Sequence, residues 1–231
     1  MKVLVIGAGN MGSGFVKQLS GAGHTVSVTA RDAAKAAAAA SPYANAKAVP
    51  AAGAAEGQDL VILATGYGDA VSALQSVGNL QGKVVVDITN PLTADYMGLT
   101  LGYSTSAAEE IAKAVPGAQV VKAFNTVLAQ VLGQGALLPD GSKVTVFVAG
   151  DNEAAKATVK ALAESLGFAT ADAGGLLRGA RGRRDRPHPH GRLRAGCGRG
   201  DGRRRPGAGQ PRAARHAPDH YLGGETGRRA H

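Results

Sequence analysis

A short apolar run at the amino terminus, Lys2-Val-Leu-Val-Ile6, ends in Gly7-Ala-Gly9-Asn10-Met11-Gly12, and a helix-forming segment follows. No other stretch constrains the fold as strongly. Consecutive apolar positions suit a strand covered on both faces, as in a parallel sheet flanked by helices. Gly7 permits a tight turn, Gly9 offers bare backbone without a Cβ, and Gly12 lets the next helix pack close to the strand. The first N–H groups of that helix, with the positive end of its dipole, attract an anion. In a chain with 34 glycines the spacing alone would read as a plain turn. Strand before and helix after turn it into a seat for a dinucleotide's diphosphate, formed by Gly7, Gly9, Asn10, Met11 and Gly12.

In such a motif an acid at the end of the second strand bonds the adenosine ribose of NAD. Here the second strand, Thr25–Thr29, ends in Ala30-Arg31-Asp32. A guanidinium fork suits a phosphate monoester, and Lys35 adds a second cation one helical turn on. Two charge-assisted bonds of ~1.5–3 kcal/mol each would favour NADP over NAD by about two orders of magnitude or more. Asp32 leaves two readings open: a ribose acid shifted along the chain, or an acid at a helix N-terminus.

Apolar runs alternate with Ala-rich amphipathic stretches. Strands are predicted at Lys2–Ile6, Thr25–Thr29, Asp59–Ala64, Lys83–Asp87, Gln119–Ala123, Lys143–Ala149 and Phe168–Asp172. Helices are predicted at Met11–Gly21, Asp32–Ala40, Asp69–Val77, Ser106–Val115 and Asn152–Leu166. That alternation predicts an α/β, Rossmann-type, doubly wound parallel sheet with its site beyond the carboxyl ends of the strands. Besides the glycine turn and Ala30-Arg31, three further groups fall at predicted strand ends: Ala64-Thr65-Gly66-Tyr67, Thr89-Asn90-Pro91-Leu92 and Phe124-Asn125-Thr126-Val127. Ala64 and Thr65 are small enough to lie against a ribose or nicotinamide, and Asn90-Pro91 reads as a stiff turn lining the nicotinamide pocket. Tyr67 packs on the adenine, on the substrate or simply on the core. Asn125 binds a carbonyl or caps its own turn, and Asp87 reads as a turn or cap acid.

Charge divides the chain. Residues 1–177 hold 11 basic and 13 acidic side chains, whereas residues 178–231 hold 15 Arg, no Lys and 4 acids. The whole net charge of +9 therefore comes from the tail. With 12 Gly, 5 Pro and no apolar period, the tail cannot bury enough surface to fold, so a disordered basic segment is expected. A basic arm binding nucleic acid is one reading. Arg, Gly, Pro, Ala and His without Lys, Ile, Phe or Asn is also what GC-rich DNA yields in a wrong frame, so a frameshift near Leu176–Arg178 is the favoured one. Cys197 is the sole cysteine, which keeps disulfides and thiolate metal sites out of residues 1–177. The apolar run after Lys2 is too short for a secretory signal and nothing approaches a membrane span, so a cytoplasmic protein is expected.

Gly-Ala-Gly-Asn-Met-Gly at 7–12, Ala-Arg-Asp at 30–32, Val-Asp-Ile-Thr-Asn-Pro-Leu at 86–92 and Val-Lys-Ala-Phe-Asn-Thr-Val at 121–127 carry a likeness to a known family. Val-Ala-Gly-Asp at 148–151 and Asp-Ala-Gly-Gly-Leu at 172–176 extend it. Over residues 1–177 the chain resembles the NADPH-dependent coenzyme F-420 reductases. The glycine run is also similar to that of pyrroline-5-carboxylate reductases, whose later motifs are missing here. The resemblance implies an oxidoreductase with a deazaflavin pocket beside the nicotinamide and hydride passed directly between the two rings. It implies that Ala30, Arg31 and Lys35 meet the 2′-phosphate of NADP(H), Ala30 replacing a small polar residue of the family. Ala64, Thr65, Tyr67, Asn90 and Pro91 would complete the cofactor site, with Asn125 and Val127 toward the small-molecule hydride acceptor. Deazaflavin-using members tend to carry His where Asn125 stands and a bulkier aromatic where Tyr67 stands. Direct hydride transfer needs placement rather than acid–base help, so no catalytic acid or base and no metal ligand is assigned. In the family, helices after this point close the pocket and build a homodimer; this chain departs from that pattern after residue 177. An NADP-binding module without turnover is the alternative.

Overall fold

The computed structural model describes residues 1–95, 97–101 and 104–176. The basic tail, its frameshift reading and the boundary at 177/178 lie outside the described residues.

In chain order the elements are β1 (Lys2–Ile6), α1 (Asn10–Gly21), β2 (Thr25–Thr29), α2 (Ala33–Ala40), β3 (Ala46–Ala48), β4 (Leu60–Leu63) and α3 (Ala70–Ser76). They continue with β5 (Val84–Asp87), α4 (Ala107–Ala114), β6 (Gln119–Lys122), α5 (Ala129–Gln134), β7 (Thr145–Gly150), α6 (Glu153–Ser165) and β8 (Ala169–Gly174). One sheet runs β3-β2-β1-β4-β5-β6-β7-β8. Its first six strands are parallel, as an α/β doubly wound fold requires. Alternate residues of β1 enter opposite cores: Val3 and Val5 join one cluster, Leu4 and Ile6 the other. Both sheet faces are therefore covered, which is why the strand reads as an unbroken apolar run.

The sequence predicts a wholly parallel sheet, and the pairing departs from that at one place: β7 runs antiparallel to β6, and β8 follows β7 in parallel. The reason lies in the connection. Helix α5, absent from the predicted elements, is only six residues long and docks on α1 instead of crossing the sheet. Gly14 makes room for it, since a Cβ there would stand 3.2 Å from Leu132 Cδ2, and Lys17 Nζ donates to the Gly133 carbonyl at 2.8 Å. A connector that starts and ends at the same sheet edge returns the chain antiparallel. Strand β3 was also absent from the prediction. It has three residues and no β-branched side chain, and it is held by backbone pairing with β2.

Register aligns the strand ends. Ile6, Leu63, Asp87 and Lys122 stand side by side, with Thr29 next to Ile6. The loops that begin at 7, 30, 64, 88 and 123 thus leave from one edge. Beneath it three buried rings interlock: Phe15 of α1 meets Phe124 edge-on at 5.0 Å, and Phe124 meets Phe168 at 5.7 Å. Elsewhere His24 is buried, with the amino-terminal ammonium 3.2 Å from Nδ1 and Ser165 Oγ 2.9 Å from Nε2. Ser165 gives its own proton to the Leu162 carbonyl, so it accepts from His24 and the ring is neutral with the proton on Nε2. Among the described residues no helix is long and apolar enough to cross a membrane.

Candidate functional site

The glycine turn forms for steric reasons that differ at each position. Gly7 has φ +109°, and its N–H donates to the Thr29 carbonyl at 2.8 Å, tying the turn to β2. A Cβ on Gly7 would collide with the Ala64 carbonyl, and one on Gly12 with the Gly7 carbonyl. A Cβ on Gly9 would meet nothing within 4 Å, because Gly9 faces open space at the N-cap of α1. No side chain caps that helix and no acid lies in its first turn. Helix geometry leaves the N–H groups of Asn10, Met11 and Gly12 without intrahelical acceptors. The helix therefore presents unsatisfied donors where bare backbone allows close approach.

Those donors open onto a cleft of about 700 Å³ between the loops after β1, β2 and β4. It brings together Gly7, Gly9, Asn10, Ala30, Arg31, Lys35, Ala64 and Thr65 of the residues singled out by sequence. The remainder stand elsewhere. Gly12 is buried under the turn and Met11 packs half-buried against the core. Their side-chain positions thus serve the turn rather than the cleft wall. Tyr67 packs on the apolar cluster beneath α3 and α4 instead of lining the cleft. Burial raises its phenol above the usual range, helped by the charges of Glu110 and Asp87. Val127 is 6% exposed and packs within the core.

Asn90 and Asn125 meet each other outside the cleft wall: Asn90 Nδ2 donates to the Asn125 carbonyl at 2.9 Å, and Asn125 Nδ2 stands 3.5 Å from Asn90 Oδ1. Pro91 follows within the same loop. What holds the two loops side by side is a buried ion pair that sequence reading missed. Lys122 Nζ contacts Asp87 Oδ2 at 2.9 Å and donates to the Thr89 carbonyl, while Asp87 Oδ1 accepts from Thr89 N–H at 2.8 Å. Asp87 is fully buried. Burial pulls the Lys122 ammonium below its usual range, against the opposing pull of Asp87. Asp87 is a turn acid, as its sequence context suggested, yet also the partner of a lysine 35 residues away. Only the β5–β6 register reveals that. The turn ahead of Asn125 is strained as well: Phe124 has φ +58°, held by the interlocked rings, a conformation costing a non-glycine residue about 1–3 kcal/mol.

At the other end of the cleft Asp32, itself a lining residue, takes up the second of its two readings. Its Oδ1 accepts from the N–H groups of Ala34 and Lys35, at 3.0 and 3.3 Å, so it is the N-cap of α2. Arg31 reaches over to Asp69, a cleft residue that sequence reading took only as a helix start. Nη1 lies 3.4 Å from Oδ1 and Nη2 3.3 Å from Oδ2. Ion pairs this exposed contribute about 0.2–1 kcal/mol, so the guanidinium is readily exchanged to another anion. Among the described residues no group of three or more His, Cys, Asp or Glu is placed to hold a metal ion.

Comparison with known proteins follows this geometry. Residues 2–91 match the family described as NADP oxidoreductase, coenzyme F-420-dependent. A protein of Arthrobacter sp. FB24, provisionally described as an F-420-dependent NADP reductase, is 33% identical; the match covers 78% of this chain and 88% of that one, with a TM-score of 0.69. A Sinorhizobium meliloti protein described as hypothetical is 31% identical over 79% of this chain and 88% of its own, with a TM-score of 0.70. The metalloreductase STEAP3 of Rattus norvegicus is 31% identical over 176 residues, but this chain spans only 34% of its length. The glycine turn, the strand order and these matches agree: the chain belongs to the coenzyme F-420-dependent NADP oxidoreductase family.

Proposed function

We propose that this protein is an NADP(H)-dependent oxidoreductase that exchanges hydride with coenzyme F-420 or a related small-molecule acceptor. The observation carrying this reading is the single cleft that has free helix N–H donors at one end and Arg31 with Lys35 at the other. The residues present fit the dinucleotide: Gly9 has no side chain to exclude a diphosphate, and the cations Arg31 and Lys35 line the same cleft, which supports a 2′-phosphate between them. NADP(H), when bound, supplies or accepts the hydride. Asn10 and the first N–H groups of α1 would hold the diphosphate, Arg31 and Lys35 would hold the 2′-phosphate, and Ala64 and Thr65 would lie against the sugar. The Asn90–Asn125 clamp would orient the nicotinamide carboxamide and the acceptor, while Lys122 with Asp87 keeps both loops in register. Placement of the reacting carbons about 3–3.5 Å apart is the main catalytic task, so no side chain needs to move a proton to the ring. The family resemblance also supports a homodimer, which light scattering on the purified protein tests.

A fluorescence titration with NADPH, followed by an assay of coenzyme F-420 reduction, tests the reading. Binding with turnover is expected. Binding without turnover leaves a nucleotide-binding module, and a folded protein that binds neither NADPH nor NADP overturns the assignment.

A further inference from the structure

We infer that Asp69 is a specificity-determining residue, an internal anion that occupies Arg31 until a 2′-phosphate displaces it. The inference rests on the NADP(H) reading above and concerns what else the guanidinium binds. Asp69 ends a short 3-10 turn, Tyr67–Asp69, that runs directly into α3, and its own backbone is helical (φ −99°, ψ −3°). Unlike Asp32, Ser106 and Asn152, whose extended backbone turns their side chains back onto the helices they precede, Asp69 makes no capping bond and its carboxylate is left to other partners. Its carboxylate instead presents both oxygens to the two terminal nitrogens of Arg31, from the loop after β4 to the loop after β2. Arg31 and Asp69 line the same cleft. A guanidinium fork donates to two oxygens of either a carboxylate or a phosphate, so the carboxylate stands where two phosphate oxygens would otherwise accept.

The consequences follow from charge. A 2′-phosphate monoester carries up to two negative charges and has more acceptor oxygens than the carboxylate, so it wins the exposed arginine. Asp69 then remains close to the phosphate with its own bond lost and a like charge facing it. A nucleotide without the 2′-phosphate leaves the Arg31–Asp69 pair intact and meets neither penalty. Asp69 therefore weakens NADP(H) binding and leaves NAD(H) binding nearly unchanged. It lowers cofactor preference, the opposite of the effect of Arg31.

Calorimetric titration of 2′,5′-ADP, 5′-AMP, NADPH and NADH into the wild-type protein and Asp69→Asn provides the test. Since Asp69 makes no capping bond, neither variant removes one, and Asp69→Ser serves as a second variant should Asp69→Asn unfold. Expected is a dissociation constant for 2′,5′-ADP and NADPH lower by about fivefold in either variant, with 5′-AMP and NADH within twofold. In an Arg31→Gln background the same substitution should gain clearly less, because competition for the arginine is gone. Three outcomes overturn the inference: unchanged 2′,5′-ADP affinity, weaker binding (Asp69 would then be holding Arg31 in place for the phosphate), or an equal gain without Arg31. If none of the four nucleotides binds either folded protein, the NADP(H) reading itself falls, which separates the two failures.

Discussion

Arg31 and Asp69 show how little a residue's identity says about its role until its neighbour is known. Arg31 ends an uncharged strand tip, and its fork is the feature that points to a phosphorylated ribose. Replacing it with Glu substitutes repulsion for a charge-assisted bond, so the dissociation constant for NADPH should rise about a hundredfold more than that for NADH in parallel fluorescence titrations. Equal losses for both nucleotides would remove Arg31 from the 2′-phosphate. Gly9 and Gly12 separate in the same manner. Gly12→Ala drives a methyl into the Gly7 carbonyl, which is backbone and cannot swing aside. It should cost about 1–3 kcal/mol in urea denaturation. Gly9→Ala meets open space, so stability should hold while NADPH binding weakens, since its methyl enters the volume a diphosphate would take.

At the level of elements, the ends of β5 and β6 are joined by a charge pair rather than by apolar packing. Lys122→Met leaves the Asp87 carboxylate buried and unpaired, and should destabilise by about 3–5 kcal/mol. The double variant Asp87→Leu/Lys122→Met should recover most of that loss in thermal denaturation, yet still bind NADPH less well because Thr89 and Asn90 lose their anchor. Recovery of both stability and binding would show that the pair only fills space. Helix α1 couples to the Asn125 loop through Phe15 and Phe124, so the same helix that offers its N-terminus to the diphosphate also supports the strained turn beside it.

Across the whole molecule, His24 ties the chain's amino terminus and β2 to α6, through Met1 and Ser165. Burial and the nearby ammonium push its proton affinity below that of an exposed histidine. A histidine depressed in the folded state contributes stability above its unfolded pKa of about 6.5 and loses it as pH falls through the folded value. Wild-type stability should therefore fall between about pH 7 and pH 5 more steeply than that of His24→Gln; identical slopes would show that another group controls the acid limb. The core elements were legible beforehand because each rests on local signals: Lys2–Ile6 on its apolar run, Glu153–Ser165 on its period, Gly7–Gly12 on residues that only a tight turn needs. Helix α5 and strand β3 were not, being too short to show a period and held by contacts with α1 and β2. The reversal of β7 was hidden for a related reason, since direction depends on where a connector docks. The amino-acid order by itself determined a nucleotide-binding α/β sheet with a basic group after its second strand, because those features follow from neighbours along the chain. Only the tertiary structure decided that Arg31 faces Asp69, that Lys122 is paired with Asp87, that Tyr67 packs half-buried against an apolar cluster, and that Val127 belongs to the core. Each of these is set by strand register and loop proximity, which link residues tens of positions apart and leave no trace in local spacing.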